Sequence, residues 1–287
     1  MKGTSIFHQE RCLITLGRWG LNNPGGGISR DLRSLTLLKD GLKFVKQVAK
    51  ILKHKPKEKN MPFAIFKLSY NTPGETELVG GICGTGFFIN DLTAVTARHV
   101  LNKKTFQPNP GFRYCQLWIL LKNGMAIPLT RHSVFEFPEA DLTVIKFPKQ
   151  DLDVRCHTLS NTDPPQMTKV YAIGYAAIMP QVIGDWEQDL FVIRKADVQS
   201  AMCREEGYIV DHRVLDVEAK DVMLKGIHCF ELSFGSRTGM SGGPVIDTQT
   251  SHIVGMLSIG LPADVPVKNR TFAISVREIR KRLQNID

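Results

Sequence analysis

The sequence predicts an all-β fold with a helical extension before it and a helix after it. Three observations carry that reading. From Met61 onward, short runs rich in β-branched and aromatic residues follow one another, among them PFAIFKLSY, TAVTA, CQLWILL, LTVIKF and HIVGMLSIG. Turn signals such as NTPGE, QPNPGF and NTDPP separate them. No strand–helix–strand alternation interrupts the series, so the pattern points to an antiparallel barrel or sandwich and not to a parallel α/β sheet.

In chain order, residues 1–28 read as irregular and end in NNPGGG, a break before the next element. Over residues 29–53 the period changes. Leu35, Leu38, Leu42, Val45, Val48 and Leu52 recur at spacings of three and four, with Lys39, Lys43, Lys46, Lys50 and Lys53 as a second stripe. This is the signature of a basic amphipathic helix. HKPKEKN then reads as a charged linker, which predicts an extension over 1–60 and a main domain over 61–287. The strands follow, and a last helix is expected over Val276–Leu283, with REIRKRL as its polar face.

Charge and cysteine usage narrow the function classes. Residues 1–60 hold 13 Lys and Arg against 4 Asp and Glu, which is the whole formal charge of +9, and residues 61–287 are neutral. A basic total therefore does not make the main domain a nucleic-acid binder, and no nucleic-acid partner is expected. The apolar stripe of 29–53 needs a cover. It predicts regulatory docking, on the chain's own barrels or on a partner protein, in preference to nucleic acid, with a membrane surface as the third possible cover. The six cysteines, at 12, 83, 115, 156, 203 and 229, form no close pair and no metal-type Cys-x-x-Cys. Glu10 and Arg11 interrupt any secretion-type apolar run, and no stretch approaches the ~20 apolar residues of a membrane span. The expectation is a cytoplasmic chain with reduced thiols, no transmembrane segment, no metal and no cofactor.

The chemistry is expected around GMSGGPVID, residues 239–247. Glycines crowd Ser241, as they must where a hydroxyl is bared and backbone N–H groups turn toward a developing oxyanion. His99 follows TAVTAR at a strand end, and Asp141 opens the strand DLTVIKF. Each alone is commonplace, whereas a histidine, an aspartate and a serine in that chain order form one of the few known arrangements of a catalytic triad. The serine is the nucleophile, the histidine its base, and the aspartate fixes the histidine tautomer.

The segments GTGFFINDLTAVTARHV, ADLTVIKF and GMSGGPVID resemble, in order, the three signatures of the trypsin-like serine proteases. TGMSGGPVI and TFAISV bring the chain nearest to the bacterial trypsin-like and high-temperature-requirement type. The resemblance covers residues 62–283. It implies two packed six-stranded antiparallel β-barrels of chymotrypsin type, with His99, Asp141 and Ser241 in the cleft between them. It also implies an oxyanion hole from the N–H groups of Gly239 and Ser241, pocket walls near Gly235 and Ser236, and a peptide-pairing strand ending in Ser258, Ile259 and Gly260. The substrate would be a protein or peptide. Arg270, on the next strand, reads as a solvated strand-end charge and not as a pocket floor.

Departures from the family are equally informative. Secreted members bond a cysteine after the catalytic histidine to one on the preceding strand. Here Cys83 stands for the latter and Val100 replaces the former. Met240 stands where secreted trypsins carry the aspartate that captures a new N-terminus, so that activation is not expected. No peptide-binding module is expected after the last helix. One rival is set aside on residue identity: a cysteine protease would need Cys at 241. The alternative is a catalytically silent member of the fold, used as a protein- or membrane-binding module through the basic helix; a missing triad member or oxyanion glycine would favour it, and none is missing.

Overall fold

The computed structural model describes residues 11–15, 62–71, 78–122, 126–130, 133–147, 156, 158–180, 182–185, 190–219, 221–261, 270–284 and 286. The helix expected over 29–53 lies outside the described residues. The chain divides into two units, one formed by Met1–Leu16 with Asn60–Asp287 and the other by Gly17–Lys59. Among the described residues, no helix is long and apolar enough to cross a membrane.

The first strand, β1 (Arg11–Thr15), corrects the reading of 1–28 as irregular. Its five residues, RCLIT, are too few to signal a strand without their partner, which lies some 175 residues further along the chain. The next seven strands are β2 (Phe63–Tyr70), β3 (Leu78–Asn90), β4 (Thr93–Ala97), β5 (Tyr114–Leu120), β6 (Ala126–Leu129), β7 (Val134–Phe137) and β8 (Leu142–Lys146). They form one curled antiparallel sheet in the order β6-β5-β2-β3-β4-β8-β7. Then come β9 (Lys169–Tyr175), β10 (Val182–Asp185), β11 (Leu190–Arg194), helix α1 (Lys195–Ser200), β12 (Met202–Ala219), β13 (Val222–Leu232), β14 (Pro244–Asp247), β15 (Ile253–Leu261), β16 (Arg270–Ser275) and helix α2 (Val276–Leu283). Six of them close a barrel in the order β12-β13-β16-β15-β14-β9, while β1, β11 and β10 make a small third sheet. The architecture is the all-β fold of chymotrypsin type. In detail, the carboxy-terminal half is the closed six-stranded barrel, and the amino-terminal half is a seven-stranded curled sheet.

Strand chemistry explains the curl. Phe63, Ile65, Phe87, Val95, Ile119 and Ile145 are all buried in one apolar core that the sheet wraps. All five residues of β4 are buried, because the second barrel covers the face that a lone sheet would expose to water. Strand β3 can press against β2 because residue 86 is glycine. A Cβ there would lie 2.4 Å from the Phe63 ring.

The halves are braced at two further places. The β12–β13 hairpin reaches the first sheet, where Leu224 bridges Ala140 and Lys225 N–H donates to Glu139 O at 2.8 Å. Helix α2 starts on a Ser275 cap, whose hydroxyl accepts from Arg277 N–H at 3.1 Å. REIRKRL is not a uniformly solvated face: Glu278 and Arg282 are buried and ion-paired with each other, and Arg282 reaches Glu139 at 3.7 Å. Arg280 donates to the carbonyls of Ser160 (2.7 Å) and Leu159 (2.8 Å) and to Asn161 Oδ1 (2.9 Å), tying the helix to the connection between the halves.

Charge-assisted bonds of this kind contribute about 1.5–3 kcal/mol each when buried, and less when solvated. Arg280→Ala is expected to cost about 2 kcal/mol in all and to lower Tm by roughly 4–8 °C. Thermal unfolding followed by circular dichroism checks it, and an unchanged Tm would show that Arg280 is not a brace.

Candidate active site

His99 lies in the 3-10 turn Arg98–Val100 that ends β4, and Asp141 lies in the turn before β8. Antiparallel pairing of β4 with β8 sets Ala97 opposite Leu142, so the two candidate residues leave the sheet side by side. Asp141 takes φ 47°, a left-handed conformation that aspartate tolerates better than most residues. Its carbonyl accepts from Arg98 N–H at 2.9 Å. The carboxylate is fully buried. Oδ1 accepts from His99 N–H at 2.9 Å, and the His99 ring nitrogen Nδ1 stands 3.0 Å from Oδ1 and 2.8 Å from Oδ2. Ser258 Oγ donates to Oδ2 at 2.5 Å.

An ionised carboxylate can only accept, so the ring meets Asp141 as an Nδ1–H donor. The imidazole is partly exposed and its partner is fully buried.

Ser241 sits in the turn before β14. In a trans peptide the C=O and N–H point opposite ways, so a captured carbonyl aims the following N–H. Ala177 N–H holds Thr238 O at 2.7 Å, which aims the Gly239 N–H. Gly243 N–H holds Met240 O at 2.9 Å, which aims the Ser241 N–H. The neighbouring donors are engaged: Met240 N–H goes to Arg237 O (3.0 Å) and Gly242 N–H to Leu257 O (2.7 Å). Among the described residues, nothing accepts from the N–H of Gly239 or of Ser241. Gly239 has φ 94° and Gly242 φ 85°, both closed to ordinary side chains, and a Cβ at Gly242 would meet Thr85 O at 2.1 Å. The Ser241 hydroxyl donates to Ser258 O at 3.4 Å. Among the described residues, no hydrogen bond joins it to His99.

Residues 84–256, more than half of the chain, match the family of the trypsin-like peptidase domain. The chain belongs to that family. No curated protein matches it. Among solved structures, the HtrA-type protease AlgW with decapeptide is similar at 14% identity and TM-score 0.57, with 80% of this chain and 65% of that chain covered. A serine-to-alanine variant of AlgW with decapeptide is similar at 13% identity and TM-score 0.53, covering 80% and 64%. The chain thus spans less than two thirds of the length of these structures, and the likeness is one of fold.

In this member of the family, Ser258, expected in the peptide-pairing strand, has a second place that motif reading missed. The register of β15 against β16 shifts between Leu257 and Ile259, so Ser258 leaves the ladder, as residues at bulges do. Its side chain turns to Asp141 and its carbonyl to Ser241. A serine inside the apolar run GMLSIG was the available signal. Ile259 is buried beside it, and Gly260 is exposed. Gly235 and Ser236 are exposed in the segment after β13, and Arg270 pairs with Leu261 at the start of β16.

The expected stand-in for the missing disulfide is one residue out of step. Gly84, not Cys83, faces Val100: a Cβ at Gly84 would sit 2.1 Å from Val100 Cγ1. Side chains alternate along β3, so Cys83 points the other way and its thiol donates to Ile65 O at 3.4 Å. Cys83, Cys115, Cys203 and Cys229 are free thiols.

Burial pushes Cys83 up to about 12. Burial first, then the charges of Glu278 and Asp141, does the same for Cys229, also to about 12. Unfolded thiols titrate near 8.5, so the folded state holds these protons longer. Their contribution to stability is fully present below about pH 8.5 and is lost as pH rises toward 12. Native alkylation at pH 8 is therefore expected to leave Cys83 and Cys229 largely unmodified, with full labelling only in denaturant. Peptide mapping checks this, and prompt native labelling of Cys229 would contradict it.

Proposed function

We propose that the chain is a serine endopeptidase that cleaves through an acyl-enzyme, with His99, Asp141 and Ser241 as its triad. The observation that carries the reading is the Nδ1-bound His99–Asp141 pair together with a serine turn whose Gly239 and Ser241 N–H groups are aimed and unspent. In this scheme the Ser241 hydroxyl rotates from the Ser258 carbonyl toward His99 Nε2. It gives up its proton there and attacks the peptide carbonyl. The oxygen that becomes negative is received by the two N–H groups, and Asp141 stabilises the imidazolium. His99 then passes the proton to the departing amine. A water, deprotonated by the same nitrogen, attacks the acyl carbon, and the departing Ser241 oxygen takes that proton back from His99.

The substrate is a protein or peptide. AlgW is known with a decapeptide, and the shared fold suggests a peptide strand beside Ile259 and Gly260 with its side chain near Gly235 and Ser236. Free thiols at Cys83, Cys115, Cys203 and Cys229 fit a reducing compartment, and we assign the chain to the cytoplasm. The extension over 1–60 is assigned a regulatory role, with the helix expected over 29–53 as its docking element. Because β1 belongs with the body, removal of residues 17–59 tests that role more cleanly than removal of 1–60. Unchanged activity and unchanged oligomeric state in that deletion would refute it.

A second reading, a silent peptide-binding fold, draws on the Ser241 hydroxyl being turned to Ser258 and not to His99. Apo geometry of this kind often tightens only with substrate, so it does not favour silence over activity. A fluorophosphonate probe separates the two. Ser241 should be the labelled residue, and Ser241→Ala should abolish both labelling and peptide hydrolysis while leaving the melting curve in place. Labelling that survives in the alanine variant would sink the assignment.

Two graded variants follow from the geometry. Asp141→Asn should lower turnover by about 10⁴, since the amide favours the wrong histidine tautomer. Ser258→Ala should lower it by less, roughly 10-fold, since one of three donors to the carboxylate is lost and the His99 contacts remain. Steady-state kinetics on a casein-derived fluorogenic peptide gives the ranking, and equal losses in both variants would contradict it.

A further inference from the structure

Thr85 is fully buried on β3 of the first sheet, yet all its polar atoms are engaged with other segments. Its N–H donates to Ser241 O at 2.9 Å. Its hydroxyl donates to Gly239 O at 2.8 Å and accepts from Tyr175 N–H at 2.9 Å. Its carbonyl accepts from Thr96 Oγ1 at 2.6 Å. One residue of the first half therefore grips the serine turn of the second half by main chain and by side chain. The main-chain bond holds position 241, and the side-chain bond holds position 239.

The side-chain bond matters because of what Gly239 is. Its N–H lies in the peptide plane shared with Thr238, and the φ and ψ of the glycine join that plane to the next, which carries the Gly239 carbonyl. Ala177 N–H anchors the first through Thr238 O. The second is anchored through Gly239 O by the Thr85 hydroxyl, with Met240 N–H on its other side. Glycine populates both signs of φ about equally, so without the Thr85 hydroxyl the bond from Met240 N–H to Arg237 O is the remaining hold on the second plane, and the link between the two planes at 239 loosens. Gly239 is held at φ 94°, with the space for a Cβ already filled by the backbone at Tyr175–Ala177.

We propose that the Thr85 hydroxyl is a positioning residue for the oxyanion-binding turn, holding the Gly239 N–H in its receptive direction. This rests on the serine endopeptidase reading above. Thr85 touches no reacting atom; it acts through Gly239. Loss of an oxyanion donor lowers kcat by about 10²–10³ in serine proteases, which is the ceiling for loss of its support.

The experiment uses the full chain and three variants: Thr85→Val, which keeps the shape and removes the hydroxyl, Thr85→Ala, and Thr85→Ser, which restores the hydroxyl. Active sites are titrated with fluorophosphonate so that kcat refers to folded enzyme. Thr85→Val and Thr85→Ala are expected to lose at least about 10-fold in kcat with KM unchanged, within the ceiling above. Affinity for a peptidyl aldehyde, whose adduct carries the tetrahedral oxyanion, should fall by the same factor. Thr85→Ser should regain most of both. A loss of active-site titre without a loss of kcat would mean a purely structural role and overturn the proposal. Failure of both Val and Ala variants to fold, with the Ser variant folded, would overturn it likewise. If the unaltered chain is inert to fluorophosphonate, the endopeptidase reading falls and this one with it. If it reacts and Thr85→Val matches it in kcat, only this one falls.

Discussion

A fully buried aspartate is the constraint on which the rest of the structure depends. Taking a carboxylate out of water costs several kcal/mol unless hydrogen-bond donors replace the lost hydration. Asp141 finds three: the backbone and ring N–H of His99 from the first sheet, and the hydroxyl of Ser258 from the second barrel. Neither half can satisfy this group alone. Docking of the two halves is thus tied to the chemistry of the cleft, since a separation that exposed His99 would also strip Asp141 of Ser258.

The same logic extends outward from the carboxylate. Asp141 stands in a left-handed turn, a conformation that costs a non-glycine residue roughly 1–2 kcal/mol and persists only where its surroundings impose it. Here they do. Leu224 bridges Ala140, Lys225 N–H caps Glu139 O, and Arg98 N–H holds the Asp141 carbonyl. Arg282, buried against Glu278 in the terminal helix, reaches Glu139 from behind. The long β12–β13 hairpin and α2 are therefore supports of the acid turn as well as parts of the second barrel. On the other side of the cleft, Thr85 provides the matching support for the serine turn, again across the boundary between halves.

The cysteines show how packing replaces a covalent tie. Val100 fills the space over Gly84 with a branched apolar side chain, so β3 and the His99 turn are held by contact. Contact needs no oxidant, and it leaves Cys83 facing β2 with its thiol on a backbone carbonyl.

The sequence by itself determined the all-β class, through the series of short β-rich runs after Met61, because strand alternation and turn chemistry are local properties of consecutive residues. It also singled out His99, Asp141 and Ser241 as candidates, because glycine crowding and chain order are visible without coordinates. Only the tertiary structure decided that His99 and Asp141 meet at 2.8 Å, that Ser258 completes the ring of donors, and that the serine hydroxyl is turned to the Ser258 carbonyl. It alone showed RCLIT to be a strand, since five residues gain that identity only from the partner at Leu190–Arg194. It alone corrected Cys83 to Gly84, since a one-residue change of register reverses which face of a strand a side chain occupies. The physical reason is common to all of these. Each depends on a pairing between segments far apart in the chain, such as Thr85 with Gly239, and no local pattern records which distant segment will supply the missing donor or the facing side chain.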